Sequence, residues 1–262
     1  MVKQWLGEDA RRTVVEGGSR AFFGYEQIEA REKSERVRRH FDSVAHVYDF
    51  MNSLLSFGIH HAWKRESVRL LNLRPGDRVL DVCGGTGDLA ILAARRVGPR
   101  GRVAIYDINR AMIEAGLPKV RGGPFAGRIR HVQGDAERIA SPAAAFDAAM
   151  VGFGIRNVTR MRRGFAEMHR VLKPGGRLLC LEFSRPVSPV FRRLYDFYSF
   201  HVMPVLGDLV AGSRKAYTHL PESIRMFPLP DELAAMLREV GFARVSYRRF
   251  TDGIAVAHLA VK

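Results

Sequence analysis

Five short apolar runs divide the middle of the chain: RVLDVCG (Arg78 to Gly84), RVAIYDI (Arg102 to Ile108), IRHVQGD (Ile129 to Asp135), FDAAMVGF (Phe146 to Phe153) and GRLLCLEFS (Gly176 to Ser184). Each is bounded by turn residues, and continuous apolar character over this length predicts a buried strand. Helical spacing fills most of the intervals, as in Asp88 to Arg96 and in Arg160 to Leu172, the latter stopped by KPGG. Alternation of this kind predicts a parallel sheet with helices on both faces. The pattern closes with a helix, DELAAMLREVG, and two strands, ARVSYRRF and IAVAHLAV. The short turn TDG between them makes that pair antiparallel. The expected architecture is therefore α/β, a mostly parallel seven-stranded sheet with an antiparallel final hairpin strand.

Two segments break the rhythm. Residues 1–39 are rich in charge, carry glycines at Gly17, Gly18 and Gly24 and show no sustained period, which predicts a loosely ordered extension. Residues 40–262 then form a single domain. Within it, about 45 residues spanning 185–229 are rich in aromatics, Met and Pro, and an insertion of that length predicts a lid or binding element.

With 47% hydrophobic residues the chain can bury a substantial core, and the net charge of +15 favours anionic partners. Only seven of the 42 basic residues are lysine, and the arginines form no block, so a general preference for arginine on a solvated surface explains the charge equally well. The two cysteines, Cys83 and Cys180, lie far apart in strand-like runs, with neither a disulfide framework nor zinc spacing. No metal site is expected. The start, MVKQWLGEDARR, lacks an apolar signal region and no run of about 18 apolar residues occurs. A cytoplasmic protein is expected, with contact at the inner face of the membrane at most peripheral.

The first strand runs into VLDVCGGTGDLA (Val79 to Ala90), in which Gly85, Gly87 and Ala90 satisfy the glycine-loop spacing of a nucleotide-like cofactor site. A pyrophosphate on this loop would face Asp81 and Asp88, whereas S-adenosylmethionine offers an ammonium and a sulfonium that carboxylates favour. Asp107 ends the second strand 20 residues after Gly87, where ribose hydroxyls would meet an acceptor; its alternative role is to cap the helix starting NRAMIEAG. Asp135 ends the third strand, beside the backbone amide of Ala136, and reads equally well as an adenine contact or an ordinary turn aspartate. Five parallel strands, an antiparallel finish and this loop point to a class I S-adenosylmethionine-dependent methyltransferase fold, Rossmann-like.

Longer motifs sharpen the reading. YDFMNSLLSFGIHHAWKR (Tyr48 to Arg65) and RVLKPGGRLLCLEFSRP (Arg170 to Pro186) resemble the two signatures of the UbiE/COQ5 family of quinone C-methyltransferases. FGIRNV, YDFYSFHVMP and ESIRMFP are similar to that family in sequence and order, and the resemblance runs from about Phe41 to the C-terminus. It implies methylation of a ring carbon in a polyprenylated quinol, demethylmenaquinol first and a ubiquinone precursor, 2-methoxy-6-polyprenyl-benzoquinol, as the alternative. Carried over residue by residue, the family's cofactor contacts fall on Thr86, Asp107, Asp135 and Ala136, while Gly152 stands where the family commonly has Ser and is left out of the site.

An aromatic carbon attacks a sulfonium methyl only once a ring hydroxyl has lost its proton. The resemblance places Arg156 near that step. A guanidinium does not itself deprotonate, so its physical role is to stabilise the oxyanion, with Asn157 and Tyr48 holding a water or the second ring oxygen. The plainer readings are an ion-pair partner for Arg156, a helix cap for Asn157 and a core aromatic for Tyr48. His201 is a second-line base, Glu182 either shapes the site or anchors a turn, and Arg192 and Arg193 suit lipid headgroups beside the apolar insertion. A nucleic-acid methyltransferase would also explain the charge, but the chain has no [DN]-P-P-[YF] motif and no Pro-Cys nucleophile. A nicotinamide oxidoreductase and a non-catalytic cofactor-binding partner are further rivals; a homo-oligomer is left open.

Overall fold

The first strand-like run, Arg78–Val82 (β3), becomes the centre of a sheet because both of its faces are apolar and both find helices. In the computed structural model, which describes residues 19–121 and 123–262, β3 pairs in parallel with Arg102–Asp107 (β4) on one side and Phe146–Gly152 (β6) on the other. Ile129–Gln133 (β5) lies outside β4, and Leu172–Phe183 (β7) lies outside β6. The order is β5-β4-β3-β6-β7-β9-β8, with Ala255–Val261 (β9) antiparallel to β7 and Arg244–Phe250 (β8). The chain reverses direction across the sheet between β3 and β6, so their carboxyl ends open a crevice.

Alternation along each strand feeds two cores. Leu80, Val82, Ala149 and Cys180 point to one side, where they meet Phe165 and Met168 of helix Met161–Val171 (α6) and Leu233 and Leu237 of Pro230–Val240 (α10). Val79, Ala148, Met150 and Leu181 point to the other, against Ala90, Ala93 and Ala94 of Asp88–Val97 (α4) and Trp63 of His60–Leu70 (α3). KPGG does end α6, but it does so as an irregular stretch of β7, where the register with β6 slips between Phe146 and Ala148.

Residues 185–229 fold as three helices, Pro189–Phe197 (α7), Met203–Ala211 (α8) and Arg214–Met226 (α9), with a π-helical turn at Tyr198–Val202. They pack on Tyr48–Leu55 (α2) through Met51, Leu55, Met203 and Tyr217. No described helix is long and apolar enough to cross a membrane.

The expected loose extension through residue 39 is corrected for residues 20–39. Arg20–Phe23 (β1) and Glu26–Glu29 (β2) form a hairpin, and Ala30–Val44 (α1) is a helix of 15 residues. Its order has a tertiary cause that charge composition does not reveal: Asn109 donates to the Arg38 carbonyl and to Asp42, and the buried Lys33 ammonium donates to the Val158 carbonyl. The remainder of that segment, residues 1–18, lies outside the described residues.

Candidate functional site

The glycine loop follows from what surrounds it. At Gly84 a Cβ would stand 2.9 Å from the Asp81 carboxyl carbon and from Ile105, and Gly85 adopts φ +50°, so side chains are excluded where β3 turns into α4. Asp107 braces the loop: one carboxylate oxygen accepts from the Gly85 amide at 2.8 Å and the other from the Asn109 amide at 2.8 Å. Burial raises the Asp107 carboxyl, and these amides pull it back. The Ile108 amide also acts on it, and since a carboxylate has about four acceptor positions at least one remains.

Gly85, Thr86, Asp107, Asp135 and Ala136 line one cleft, together with Asp81, Arg38 and Phe41. Asp135 spends one oxygen on the Glu137 amide, the turn role, while its side chain still borders the cleft. Gly87, grouped with these residues in the sequence, is not among those that line the cleft. It is the left-handed cap of α4, and a Cβ there would stand 2.8 Å from Ile105. Thr86 lines the cleft while its hydroxyl donates to Asp49 at 2.7 Å.

Asp81 and Asp88, read together from the sequence, behave oppositely. Burial alone would raise Asp88, but Lys64 at 2.8 Å and Lys119 at 2.7 Å outweigh it and hold the carboxyl well below its usual range. Lys119 also reaches Asp49 at 2.6 Å. Asp88 is thus neutralised by its own neighbours. Asp81, 1% exposed, has no hydrogen-bond partner in ordinary geometry on either oxygen; burial raises it far above the ordinary range, the Ala90 amide draws it down in part, and Asp107 and Asp88 add to the rise. An orphaned carboxylate under a glycine cradle, next to the remaining acceptor capacity of Asp107, fits a ligand with an ammonium and a ribose diol. Those are the groups of S-adenosylmethionine.

Asp49, Lys64 and Lys119 were not foreseen. They come from three helices, and a lone lysine in a helix reads as a solvated face. Helix Arg110–Arg121 (α5), which carries Lys119, approaches so closely that a Cβ on Gly116 would lie 2.7 Å from the Thr86 backbone. Backbone cannot yield as a side chain tip does. Gly116→Ala is therefore expected to cost about 1–3 kcal/mol of stability and to weaken S-adenosylhomocysteine binding. Thermal unfolding and calorimetry check it, and an unchanged affinity would separate the helix from the loop.

A second cavity, about 800 Å³, lies between the insertion and the sheet, walled by apolar and aromatic side chains such as Trp63, Phe183, Phe191 and Tyr198. Phe41, Tyr48, Lys64, Phe153 and Asn157 line both cavities. The three candidates of the sequence reading converge here. Arg156 and Asn157 sit on a single turn after β6, and Tyr48 opens α2. Arg156 lines the larger cavity and is fixed by Glu182: Nη1 donates to the two carboxylate oxygens at 2.9 and 3.1 Å, and Nε reaches Ser223 at 3.4 Å. This pair is buried, not a surface ion pair, with side chains 7% and 1% exposed. Burial pushes Glu182 up to about 7 in spite of Arg156. Asn157 does not cap the next helix, which is capped by Arg160, and its side-chain nitrogen is buried without a partner. The half-buried Tyr48 phenol is raised by burial and drawn down by Arg156.

Other candidates lie elsewhere. His201 is exposed, stacked on Phe197, and lines neither cavity. Arg192 is committed to the carbonyls of Pro186 and Val187, leaving Arg193 exposed. Burial raises both thiols, Cys83 beside the cleft and Cys180 inside β7, which keeps them unreactive. Gly152 borders the cleft, and a Cβ there would require the tip of the Leu89 side chain to shift. His60, His61 and Asp88 approach one another, but both Asp88 oxygens are taken by ammonium groups.

Comparison with known proteins agrees with this geometry. The ubiE/COQ5 methyltransferase family model matches residues 29–262. A ubiquinone/menaquinone biosynthesis C-methyltransferase UbiE of Stutzerimonas stutzeri is 45% identical over 92% of this chain and 94% of its own length. The protein of the same name from Pseudomonas fluorescens is 43% identical over the full length of both. Among solved structures, an S-adenosylmethionine-dependent methyltransferase of Thermotoga maritima superposes with a TM-score of 0.60 at 18% identity, covering 86% of this chain and 99% of that one. One from Aquifex aeolicus gives 0.55 at 19% identity, covering 76% and 88%. These structures share the class I fold. The chain belongs to the ubiE/COQ5 methyltransferase family, with S-adenosylmethionine as its methyl donor.

Proposed function

We propose that the protein methylates a ring carbon of a polyprenylated quinol, converting demethylmenaquinol to menaquinol. The observation that carries this reading is the junction of the two cavities: the cofactor cleft opens at Tyr48, Lys64, Phe153 and Asn157 onto an apolar chamber whose wall holds a buried cation, Arg156. The chamber volume of about 800 Å³ suits a bicyclic ring with the first part of an isoprenoid tail.

Asp107, Asp135 and the Ala136 amide hold the ribose and adenine of the methyl donor, and Asp81 its ammonium. When bound, S-adenosylmethionine supplies an electrophilic methyl group on a cationic sulfur. Arg156 lowers the energy of the quinolate, because its charge lies where the ring oxygen develops one and cannot be lost as a proton. Glu182 keeps the guanidinium from swinging out of the wall, and the unpartnered Asn157 amide offers a donor to a water or to the second ring oxygen. Tyr48 closes the ring against the cleft. The relatives' shared name covers both ubiquinone and menaquinone biosynthesis, which favours a benzoquinol as a second acceptor. Radiolabelled methyl transfer to both quinols under reducing conditions, with products identified by mass, decides between them. Transfer to the benzoquinol alone removes the menaquinol reading, and transfer to neither removes both.

A tailed substrate has to be reached at a membrane. Val190, Leu194 and Phe197 form one exposed stripe of α7, 62–69% accessible, and Leu194 and the exposed Phe57 also border the chamber. The stripe enters the acyl boundary while Arg193 meets anionic headgroups. With Arg192 tied to its own loop, the clean test is Arg193→Ser. A basic residue near an anionic surface contributes about 1 kcal/mol, so vesicle affinity should fall about fivefold, with turnover of a short-tailed quinol in solution retained. Equal loss on both would place Arg193 in the lid's internal structure.

A further inference from the structure

Arg156 stabilises an oxyanion but cannot take the proton whose loss creates it, so the chamber needs a separate acceptor. Three imidazoles line it: His40 of α1, His60 of α3 and His219 of α9. His60 already contacts Ser53 through Nε2, and its Nδ1 is buried away from the cavity. His40 and His219 differ. Their ring centroids are 5.1 Å apart, His219 is stacked on Phe23 at 3.8 Å, and His40 meets Phe41 edge-on at 5.1 Å. Among the described residues neither imidazole has a hydrogen bond, and neither is among the polar groups sealed off from open space. Ser223, one helical turn after His219, accepts from Arg156 Nε, which puts the pair on the guanidinium side of the chamber.

We propose that the His40 and His219 pair is the proton acceptor of the methyl transfer, a proposal that rests on the quinol reading above. The ring O–H breaks and its proton passes to an imidazole nitrogen, leaving the electron pair on an oxygen that faces Arg156. Charge reaches the adjacent ring carbon, the bond from that carbon to the methyl forms, and the methyl–sulfur bond breaks with its pair on sulfur. The ring then loses its C–H proton to the second imidazole and regains aromaticity, while the first proton returns to the ring oxygen. One proton per turnover leaves to water. Two bases a ring apart suit two successive proton movements.

The surroundings keep both imidazoles in the accepting form. Burial lowers His40 to about 4, with Arg156 adding, and lowers His219 to about 3, with His40, Arg156 and Lys33 adding. The groups facing them are Lys33 from α1, Arg156 from its turn, Glu182 behind Arg156, and Glu222 from α9. Glu222 accepts from the Tyr25 amide and lies with His219 against Gly24, where φ is +61° and a Cβ would stand 2.4 Å from the Glu222 carboxylate. The same shifts weaken both imidazoles as bases in the free protein, and the quinolate formed beside an imidazolium offsets part of that cost.

His219→Gln, His40→Gln and the double variant test this, with demethylmenaquinol as acceptor and S-adenosylhomocysteine binding by calorimetry as the control for folding. Each single variant should retain its S-adenosylhomocysteine Kd and its KM within about twofold and lose about 100-fold in kcat at pH 7. The loss should shrink about tenfold per pH unit on raising the pH, as the quinol ionises unaided, whereas the wild type stays flat. Imidazole should restore part of the rate to His219→Gly. A wild-type rate in both single variants at pH 7, or a loss that does not vary with pH and is not rescued, overturns the proposal. Failure of the wild type to methylate any quinol overturns the quinol reading, and this assignment with it.

Discussion

Arg156→Lys should reduce kcat by about 100- to 1000-fold while leaving S-adenosylhomocysteine affinity unchanged. Lysine preserves the charge beside Glu182, which is 1% exposed, so the fold is spared the unpaired buried carboxylate that Arg156→Ala would create at about 3–5 kcal/mol. What lysine cannot preserve is the planar fork: Arg156 engages Glu182 and the Phe153 carbonyl through Nη1 and Ser223 through Nε, three partners that one ammonium cannot hold in the same plane while lining the chamber. A point charge on a flexible stem settles against Glu182 and withdraws from the substrate. Loss of one oxyanion donor has the size quoted above in enzymes that stabilise a developing charge. Steady-state kinetics with quinol at saturation measure it. A change confined to KM would mean that Arg156 binds quinol and transition state alike, and its assignment to the reactive anion would fail.

Asp81→Asn should move stability and affinity in opposite directions. Both Asp81 oxygens are buried without a partner in ordinary hydrogen-bond geometry, so in the ligand-free protein a negative charge on this carboxyl is opposed by its surroundings. Removing that charge should recover about 1–3 kcal/mol, or several degrees in Tm. The sign follows from linkage. The folded carboxyl titrates well above its usual 3.8, so its favourable contribution is complete below that value and is lost as pH rises through the folded value. The Tm advantage of Asp81→Asn should accordingly widen from acid toward neutral pH. S-adenosylhomocysteine affinity should fall about 10- to 100-fold, since a charged acceptor for its ammonium has gone. Calorimetry and melting curves against pH give both numbers. A lower Tm at neutral pH would show that Asp81 is a partnered structural group and would remove it from the site.

How much of this the sequence discloses depends on distance along the chain. The strands were legible because each apolar run is bounded by turn residues, and Asp107 because strand-to-strand spacing in such a sheet fixes where a carboxylate reaches the glycine loop. Arg156 and Asn157 were singled out through the resemblance carried by FGIRNV, and the structure places them on one turn after β6 that borders the larger cavity. The lysines that neutralise Asp88 were not, because Lys64 and Lys119 come from different helices with no periodic signal. Nor was the hairpin with α1, whose few buried positions, such as Ala21, Ile28, Lys33 and Val37, acquire meaning only against partners such as Val158 and Glu222. Gly87 shows a related limit: loop spacing identifies glycines but does not say which serve the ligand and which serve the turn.

The wall common to the two cavities has a thermodynamic consequence. Phe41, Tyr48, Lys64, Phe153 and Asn157 cannot be reordered by one ligand without altering the surface offered to the other. Under the proposed quinol reading, methyl donor and acceptor are coupled ligands, and the factor by which one changes the affinity of the other must be the same in both directions. Substitutions in this wall act on that coupling energy as well as on either affinity alone. Cofactor dissociation constants measured without quinol describe only one edge of a four-state cycle.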